Sequence, residues 1–151
     1  MSAVRQVEVP PAVLERSTLQ RVDYADTFRV ELADVRARTA EQWARAVLED
    51  APAAVRGQLL SGWNSLGLKV GTGRTGVLGW NVVSATPDVL LLGAESRIGM
   101  PGQLLFERHG DELVFATFVE HGNAAARAVW GSVKRVHVTT VRGLLGRVTG
   151  A

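Results

Sequence analysis

The longest regular pattern of apolar residues lies near the C-terminus, between Asn123 and Thr149. When successive residues are placed about 100° apart, as in an α-helix, one narrow stripe of this segment is almost entirely apolar. The stripe consists of Ala126, Trp130, Val133, His137, Val141, Leu144 and Val148. The sequence therefore predicts one long amphipathic helix that buries this stripe against another layer, with the ring of His137 facing inward.

Alternating apolar and polar residues predict antiparallel strands in the middle of the chain. The segment from Tyr24 to Leu32 alternates with period two, which is typical of a half-buried strand, and it is predicted as the first strand. Later segments of the same kind are separated by turn sequences of hairpin length. They run from Leu78 to Ala85, Asp88 to Ile98, Gln103 to His109 and Glu112 to Glu120. Both faces of these strands carry apolar groups, so we expect helices to cover one face and a second protomer or the N-terminal arm to cover the other.

Two short helices are predicted between the first strand and the hairpins. The first runs from Ala40 to Glu49, because Thr39 and Gln42 have the spacing of a capping box at its start. The second runs from Ala53 to about Leu66. The glycine-dense residues 67–76 then predict a mobile loop, since a phosphate-binding loop would need a preceding strand and a Gly-Lys-Ser/Thr ending.

Length and composition are typical of one globular domain. With 151 residues, 46% of them hydrophobic and 21% charged, the chain can build one core but not two ordinary ones. Residues 1–22 are predicted to form an extended arm on the surface, with one helical turn at Ala12 to Arg16, and residues 23–151 to form the domain. The absence of cysteine excludes disulfides, thiolate metal sites and a cysteine nucleophile. No segment has the length of a membrane span or the apolar core of a signal peptide, so we expect a cytoplasmic protein.

Charge is distributed unevenly along the chain. The net charge is only +2, which argues against nucleic acid as a partner. After Glu120 there is no acidic residue, whereas one flank of the predicted C-terminal helix carries Arg127, Lys134, Arg135 and Arg142. We interpret this flank as a solvated basic face, and peripheral contact with an anionic membrane surface or an acidic ligand is the alternative.

Several short segments carry a family resemblance. They are residues 23–28 (Asp-Tyr-Ala-Asp-Thr-Phe), 67–69 (Gly-Leu-Lys) and 91–93 (Leu-Leu-Gly), together with Asn123, Arg127, Trp130, Val133 and His137. In these segments and in its order of elements the chain resembles the START-like superfamily, also called SRPBCC or Bet v-like, which includes polyketide cyclases and lipid-transfer domains. Within it the chain is similar to a bacterial family of uncharacterised domains, over about residues 20–148.

The resemblance implies an α+β helix-grip fold. In this fold a curved antiparallel sheet, with two short helices after strand one, grips a long C-terminal helix packed across it and encloses a cavity. Relatives use such cavities to bind lipids, polyketides, sterols and other apolar molecules. The resemblance does not imply a reaction, because the fold hosts both enzymes and carriers.

His137 is the candidate acid or base, because a neutral imidazole can orient or deprotonate a ligand near neutral pH. The alternative is a core histidine that is hydrogen-bonded within the protein. Glu95 and Arg97 share one strand face and would present a carboxylate and a guanidinium to a polar ligand group, unless they form cross-strand ion pairs with Arg108 or Glu107. Glu95 is the acid that we expect nearest to His137.

The predicted lining of the cavity combines aromatic, aliphatic and charged side chains. It comprises Trp63, Trp80, Glu95, Arg97, Phe106, Phe118, Trp130, Val133, His137 and Val141. We expect this cavity to bind an apolar or amphipathic small molecule, such as a lipid, a polyketide or a sterol-like compound. The alternative is a cyclase, dehydratase or isomerase in which His137 acts as the acid or base, and a structural module with a filled cavity is a third class.

Other chemistry finds little support in the sequence. A metal site built from His109, His121 and His137 is not favoured, because no two of them have the spacing of metal ligands. No serine lies in a nucleophile-elbow context, so serine hydrolysis is not favoured either. We expect no cofactor.

Overall fold

Six antiparallel strands form one curved sheet in the computed structural model, which describes residues 4–149. The strands are β1 (Val4–Val7), β2 (Tyr24–Glu31), β3 (Asn81–Ala85), β4 (Val89–Ala94), β5 (Gly102–His109) and β6 (Glu112–Val119). Their order across the sheet is β1-β2-β6-β5-β4-β3, so β1 and β3 are the edge strands. The arm was predicted to begin at Met1 and the domain to end at Ala151, and both of these residues lie outside the described range.

Four α-helices accompany the sheet in this part of the chain. They are α1 (Pro11–Leu14), α2 (Ala40–Leu48), α3 (Ala53–Ser65) and α4 (Ala124–Val148). The predicted long C-terminal helix is confirmed as α4. Its first turn is capped by Asn123, whose side chain accepts a hydrogen bond from the backbone N–H of Ala126 at 2.7 Å. The expected α+β class, with a curved antiparallel sheet and a long C-terminal helix, is therefore confirmed.

The strand that was predicted as the first one, Tyr24 to Leu32, is the second strand of the chain, β2. The two shorter helices α2 and α3 therefore follow the second strand and not the first. The strand β1 was not predicted, because its four residues are too few to show a period. At the start of α2 the capping box is present: the N–H of Gln42 donates to Thr39 Oγ1 at 3.1 Å, and the N–H of Thr39 donates to Gln42 Oε1 at 2.8 Å. In contrast, α3 has no side-chain cap, and only Leu59 among its residues is buried, whereas six residues of α2 are.

Large side chains fill one end of the concave face of the sheet. Phe28, Phe115 and Phe106 lie side by side on β2, β6 and β5. The ring centroid of Phe115 is 5.0 Å from that of Phe106 and 6.5 Å from that of Phe28. The C-terminal part of α4 closes this core with the buried Leu144 and Leu145. The core is therefore solid at this end.

Smaller and more polar side chains occupy the other end of the same face. Two residues along the strands from the phenylalanine row, the aligned residues are Asp26, Thr117, Leu104 and Leu92. Two residues further on, they are Tyr24, Val119, Gly102 and Ala94. Because Thr117 and Gly102 replace the phenylalanines of the solid end, the sheet does not fill the volume beneath the first half of α4. The fold therefore leaves a space there.

The N-terminal arm covers the convex face of the sheet. Val13 of α1 is buried there in one apolar cluster with Phe118. The side chain of Gln103 holds the arm, since its Oε1 accepts from Ser17 Oγ at 2.8 Å and from the backbone N–H of Thr18 at 3.0 Å. The arm is thus part of the packed structure rather than a surface extension, and it supplies one of the two predicted covers of this face.

A tight turn shortens the strand that was predicted to begin at Leu78. That strand begins only at Asn81. The preceding residues reverse direction through Gly76 and Gly79, which both have positive φ. A Cβ on Gly76 would lie 1.8 Å from the carbonyl oxygen of Trp80, so only glycine fits this turn. The turn carries the buried Trp80 into the interior.

Candidate functional site

A cavity of about 430 Å³ lies between the concave face of the sheet, α3 and α4. Most of its lining side chains are apolar, and they include Leu59, Trp63, Leu68, Trp80, Leu104, Trp130 and Val133. Polar side chains are few: Gln58 and Ser65 of α3, Thr140 of α4, and Thr117 of β6, which contacts His137 of α4. This arrangement suits an apolar molecule that carries a polar group at one place.

The mouth of the cavity lies between α3 and α4. Gln58 and Ser65 on α3 and Val136 on α4 all line the cavity and are exposed to solvent. Val136 is 67% exposed, which is high for a valine on a packed helix. A ligand would therefore enter between these two helices.

The imidazole of His137 is anchored to the sheet by two side chains. Its Nε2 lies 3.1 Å from Asp26 Oδ2 and 3.1 Å from Thr117 Oγ1. Asp26 and Thr117 are cross-strand partners on β2 and β6, so register places them together beneath the helix. The carboxylate of Asp26 is only 2% exposed, whereas the side chain of His137 is 18% exposed. The acid is thus buried behind the imidazole and away from solvent.

The partners of Nε2 determine which nitrogen of His137 remains for a ligand. An ionised carboxylate only accepts hydrogen bonds, so the contact with Asp26 requires the proton on Nε2. Within residues 4–149, Nδ1 has no hydrogen-bond partner, and it does not belong to the fully buried polar atoms that lack one. For the neutral imidazole we therefore assign the Nε2–H tautomer, in which Nδ1 is an accessible acceptor.

Tyr24 supplies the second hydrogen bond to the buried acid. Its hydroxyl donates to Asp26 Oδ2 at 2.7 Å. Burial and the adjacent negative carboxylate raise the pKa of Tyr24 far above its ordinary value, because both disfavour the phenolate. The other oxygen, Asp26 Oδ1, is buried without a partner in residues 4–149. The charge of Asp26 therefore depends on the donors from Tyr24 and His137.

The indole of Trp130 fixes the position of both rings. Its ring centroid lies 5.0 Å from that of Tyr24 in an edge-to-face contact and 5.1 Å from that of His137. Such contacts restrict the rotamers of the side chains that they join. The imidazole is thus held by hydrogen bonds on one edge and by an aromatic wall on its side.

The structure brings together half of the residues that were predicted to line the cavity. Those that line it are Trp63, Trp80, Trp130, Val133 and His137. Val141 lies one turn beyond His137 and lines an adjoining space of about 40 Å³ instead. The rings of Trp63 and Trp80 meet edge to face at 5.5 Å and form one wall.

The other predicted lining residues lie elsewhere. Phe106 is buried in the solid end of the core, and Phe118 points to the convex face. Glu95 and Arg97 are exposed, because β4 ends at Ala94 and the chain then leaves the sheet. The prediction that Glu95 is the acid nearest to His137 is therefore wrong, since Asp26 holds that position.

Asp26, Tyr24 and Thr117 were not predicted as site residues. A signal for two of them was present: the alternation through Phe28 places Asp26 and Tyr24 on the same inward face of the first predicted strand. A carboxylate on a buried strand face is rare unless it has a partner. The pairing with His137 spans 111 positions and has no local signature.

The remaining histidines stay outside this site. His121 is buried just after β6, and burial is the main cause that lowers its pKa below the ordinary value. Its Nε2 has no hydrogen-bond partner in the described part of the chain. Across residues 4–149, no three His, Asp or Glu side chains come together in a group that could hold a metal ion.

Comparison with protein-family models, curated proteins and solved structures found no match to this chain. None of the helices within residues 4–149 combines the length and the apolar character needed to cross a bilayer. Fold and site therefore define the class to which the protein can be assigned: an α+β protein with a curved antiparallel sheet, a long C-terminal helix and a largely apolar cavity that contains one anchored histidine.

The buried Tyr24–Asp26 pair predicts a specific alkaline behaviour. Tyr24 is the only tyrosine of the chain, so tyrosinate absorbance reports on it alone. Its pKa in the folded state is raised above the ordinary value of about 10. The unfolded chain therefore releases this proton first as the pH rises past that value. We expect the stabilising contribution of Tyr24 to be constant below this pH. Above it, the free energy of unfolding should fall by up to about 1.4 kcal/mol per pH unit.

Spectroscopic titration with denaturant unfolding at each pH measures this effect. Asp26→Asn should bring the ionisation of Tyr24 closer to its ordinary range, because the adjacent negative charge is gone. Asp34→Asn is the matched control, since Asp34 is exposed and its side chain makes no hydrogen bond within residues 4–149. Ionisation of Tyr24 at its ordinary pKa in the folded wild type would contradict the buried pair.

Proposed function

We propose that the protein binds an apolar or amphipathic small molecule in the cavity between the sheet, α3 and α4. The observation that carries the proposal is a cavity of about 430 Å³ with mostly apolar walls. Cavities that hold small molecules span about 300–1,000 Å³ and combine apolar walls with a few placed polar groups. A ligand with a hydroxyl group would place it against Nδ1 of His137.

We also propose that the protein has the helix-grip fold. A helix laid across the concave face of a curved antiparallel sheet, with a cavity between them, is what the helix-grip, START-like resemblance implies. The solid row of phenylalanines and the space beside it support this assignment, because they leave volume at one end only. Lipids, polyketides and sterol-like compounds are the ligand classes that the resemblance suggests.

Two glycines on α3 allow a test in which the cavity is narrowed. Gly62 lines the cavity, and a Cβ there would meet no atom within 4 Å, so Gly62→Phe introduces a ring without a clash at its base. Gly57 lies on the same helix, is equally open and does not line the cavity. We expect Gly62→Phe to weaken naphthalene binding at least about tenfold and Gly57→Phe to leave it unchanged. Fluorescence of Trp63, Trp80 and Trp130 reports the binding.

The same titration with 2-naphthol tests the polar part of the site. Wild type should bind 2-naphthol roughly fivefold tighter than naphthalene, because the hydroxyl gains one hydrogen bond to Nδ1. His137→Leu should abolish this preference, and Thr140→Val, which alters another polar lining residue, should keep it. Equal binding of both probes by wild type, or no binding of either, would contradict the proposed site.

Acid-base catalysis is the second candidate function, and the Asp26–His137 contact favours it. A carboxylate that holds the Nε2 proton leaves Nδ1 free to take a proton from a bound molecule, and general bases of this kind contribute about 10²–10⁴-fold. The reaction class would be an isomerisation, cyclisation or dehydration that begins at an acidic C–H bond.

Deuterium exchange at the activated carbon of 2-tetralone, an apolar bicyclic ketone, distinguishes a catalyst from a carrier. If the protein is a catalyst, it accelerates exchange in D₂O, His137→Leu abolishes the acceleration, and Asp26→Asn reduces it while the ketone still binds. Binding of the ketone with no accelerated exchange would reject catalysis of this class and leave the carrier function in place.

A further inference from the structure

The packed end of the core leaves a small gap beside His137. The gap has a volume of about 40 Å³ and adjoins the main cavity of about 430 Å³. The residues that line both spaces are Leu59, Trp63, Leu104, His137 and Thr140. His137 therefore lies at the boundary between a large space and a small one.

The walls of the small gap are apolar away from this boundary. The residues that line the gap and not the main cavity come from α2, β6 and α4, and all of them are buried hydrophobic side chains: Val47, Leu48, Phe115, Val141, Leu144 and Leu145. Such walls offer no hydrogen-bond partner, and an ordered water molecule needs two to four of them. An apolar group therefore fits the gap better than water does.

The volume of the gap limits the size of the group that can enter it. An apolar cavity of about 150 Å³ holds benzene, which corresponds to roughly 25 Å³ for each carbon atom. By the same measure the gap of about 40 Å³ has room for one or two carbon atoms. The main cavity has room for a body of more than about ten carbon atoms.

The imidazole provides a polar contact where the two spaces meet. Its Nε2 is held at 3.1 Å by Asp26 Oδ2 and by Thr117 Oγ1, so Nδ1 remains for a ligand. A ligand that donates a hydrogen bond to Nδ1 places its hydroxyl at this boundary. The carbon that bears the hydroxyl then has the main cavity on one side and the small gap on the other.

We infer that the protein selects secondary alcohols in which the carbon that bears the hydroxyl joins a bulky apolar body to a methyl or ethyl branch. The body occupies the main cavity, the branch occupies the gap, and the hydroxyl donates to Nδ1 of His137. Because these three groups have separate places, the site prefers one enantiomer. The inference rests on the proposed ligand binding and adds the class of ligand to it.

Isothermal titration calorimetry with naphthyl alcohols tests the branch. The compound 1-(2-naphthyl)ethanol differs from 2-naphthylmethanol only by a methyl group on the carbon that bears the hydroxyl. Its preferred enantiomer should bind wild type about fourfold tighter than 2-naphthylmethanol, because one more carbon is buried. The analogue with a tert-butyl branch should bind at least about fivefold more weakly than the methyl compound, because four carbons overfill the gap.

Filling the gap from either side should remove the preference for the methyl compound. Val141 on α4 and Val47 on α2 line the gap and not the main cavity, so Val141→Ile and Val47→Ile each add a carbon there. In both variants the ratio of the two dissociation constants should fall to about one. The matched control is Val133→Ile, because Val133 lines only the main cavity, and this variant should keep the roughly fourfold ratio.

Equal binding of the two alcohols by wild type would overturn the inference and leave ligand binding in place. The inference would also be overturned if the preference survived in both filled variants, if Val133→Ile removed it, or if the tert-butyl analogue bound as tightly as the methyl compound. Binding of neither alcohol would instead reject the proposed function itself, and the inference with it.

Discussion

The contact between the buried Asp26 and the ring of His137 determines how α4 sits on the sheet. A carboxylate that is only 2% exposed is costly unless donors surround it, and the donors come from Tyr24 on the same strand and from His137 on the helix. This polar attachment lies at the middle of α4. One end of the helix packs on phenylalanines, and the other end spans a space that the smaller residues of β5 and β6 leave open.

The same contact gives the cavity its chemical character. Trp63, Trp80 and Trp130 make its walls apolar, while Asp26 and Thr117 fix the Nε2 side of the imidazole. The acid thereby acts on a ligand only through the orientation of His137. A bound molecule would meet the Nδ1 acceptor of His137 among mostly apolar walls, which is a simple basis for selecting a hydroxylated apolar compound.

Long periodic elements were predictable from the sequence, and long-range pairings were not. The helix α4 was found because the 3.6-residue period persists over 25 residues, and the Thr39 capping box because its signal is local. The alternation along β6 showed that Phe115 and Phe118 point to opposite faces of the sheet, but it could not show which of them faces the helix. Glu95 was misplaced because no pattern marks where β4 ends. Asp26 could have been found by extending the alternation of β2 toward its start, although its partner depends on the folded arrangement of α4.

The protonation state of His137 is the most direct test of this account. Nitrogen-15 NMR of the imidazole distinguishes a protonated from an unprotonated ring nitrogen, both in the free protein and after addition of 2-naphthol. We expect a protonated Nε2 and an unprotonated Nδ1 in the free protein, and a shift of the Nδ1 resonance when the hydroxyl of the probe binds. A proton on Nδ1 in the free protein, or an unchanged Nδ1 resonance with the probe bound, would contradict it.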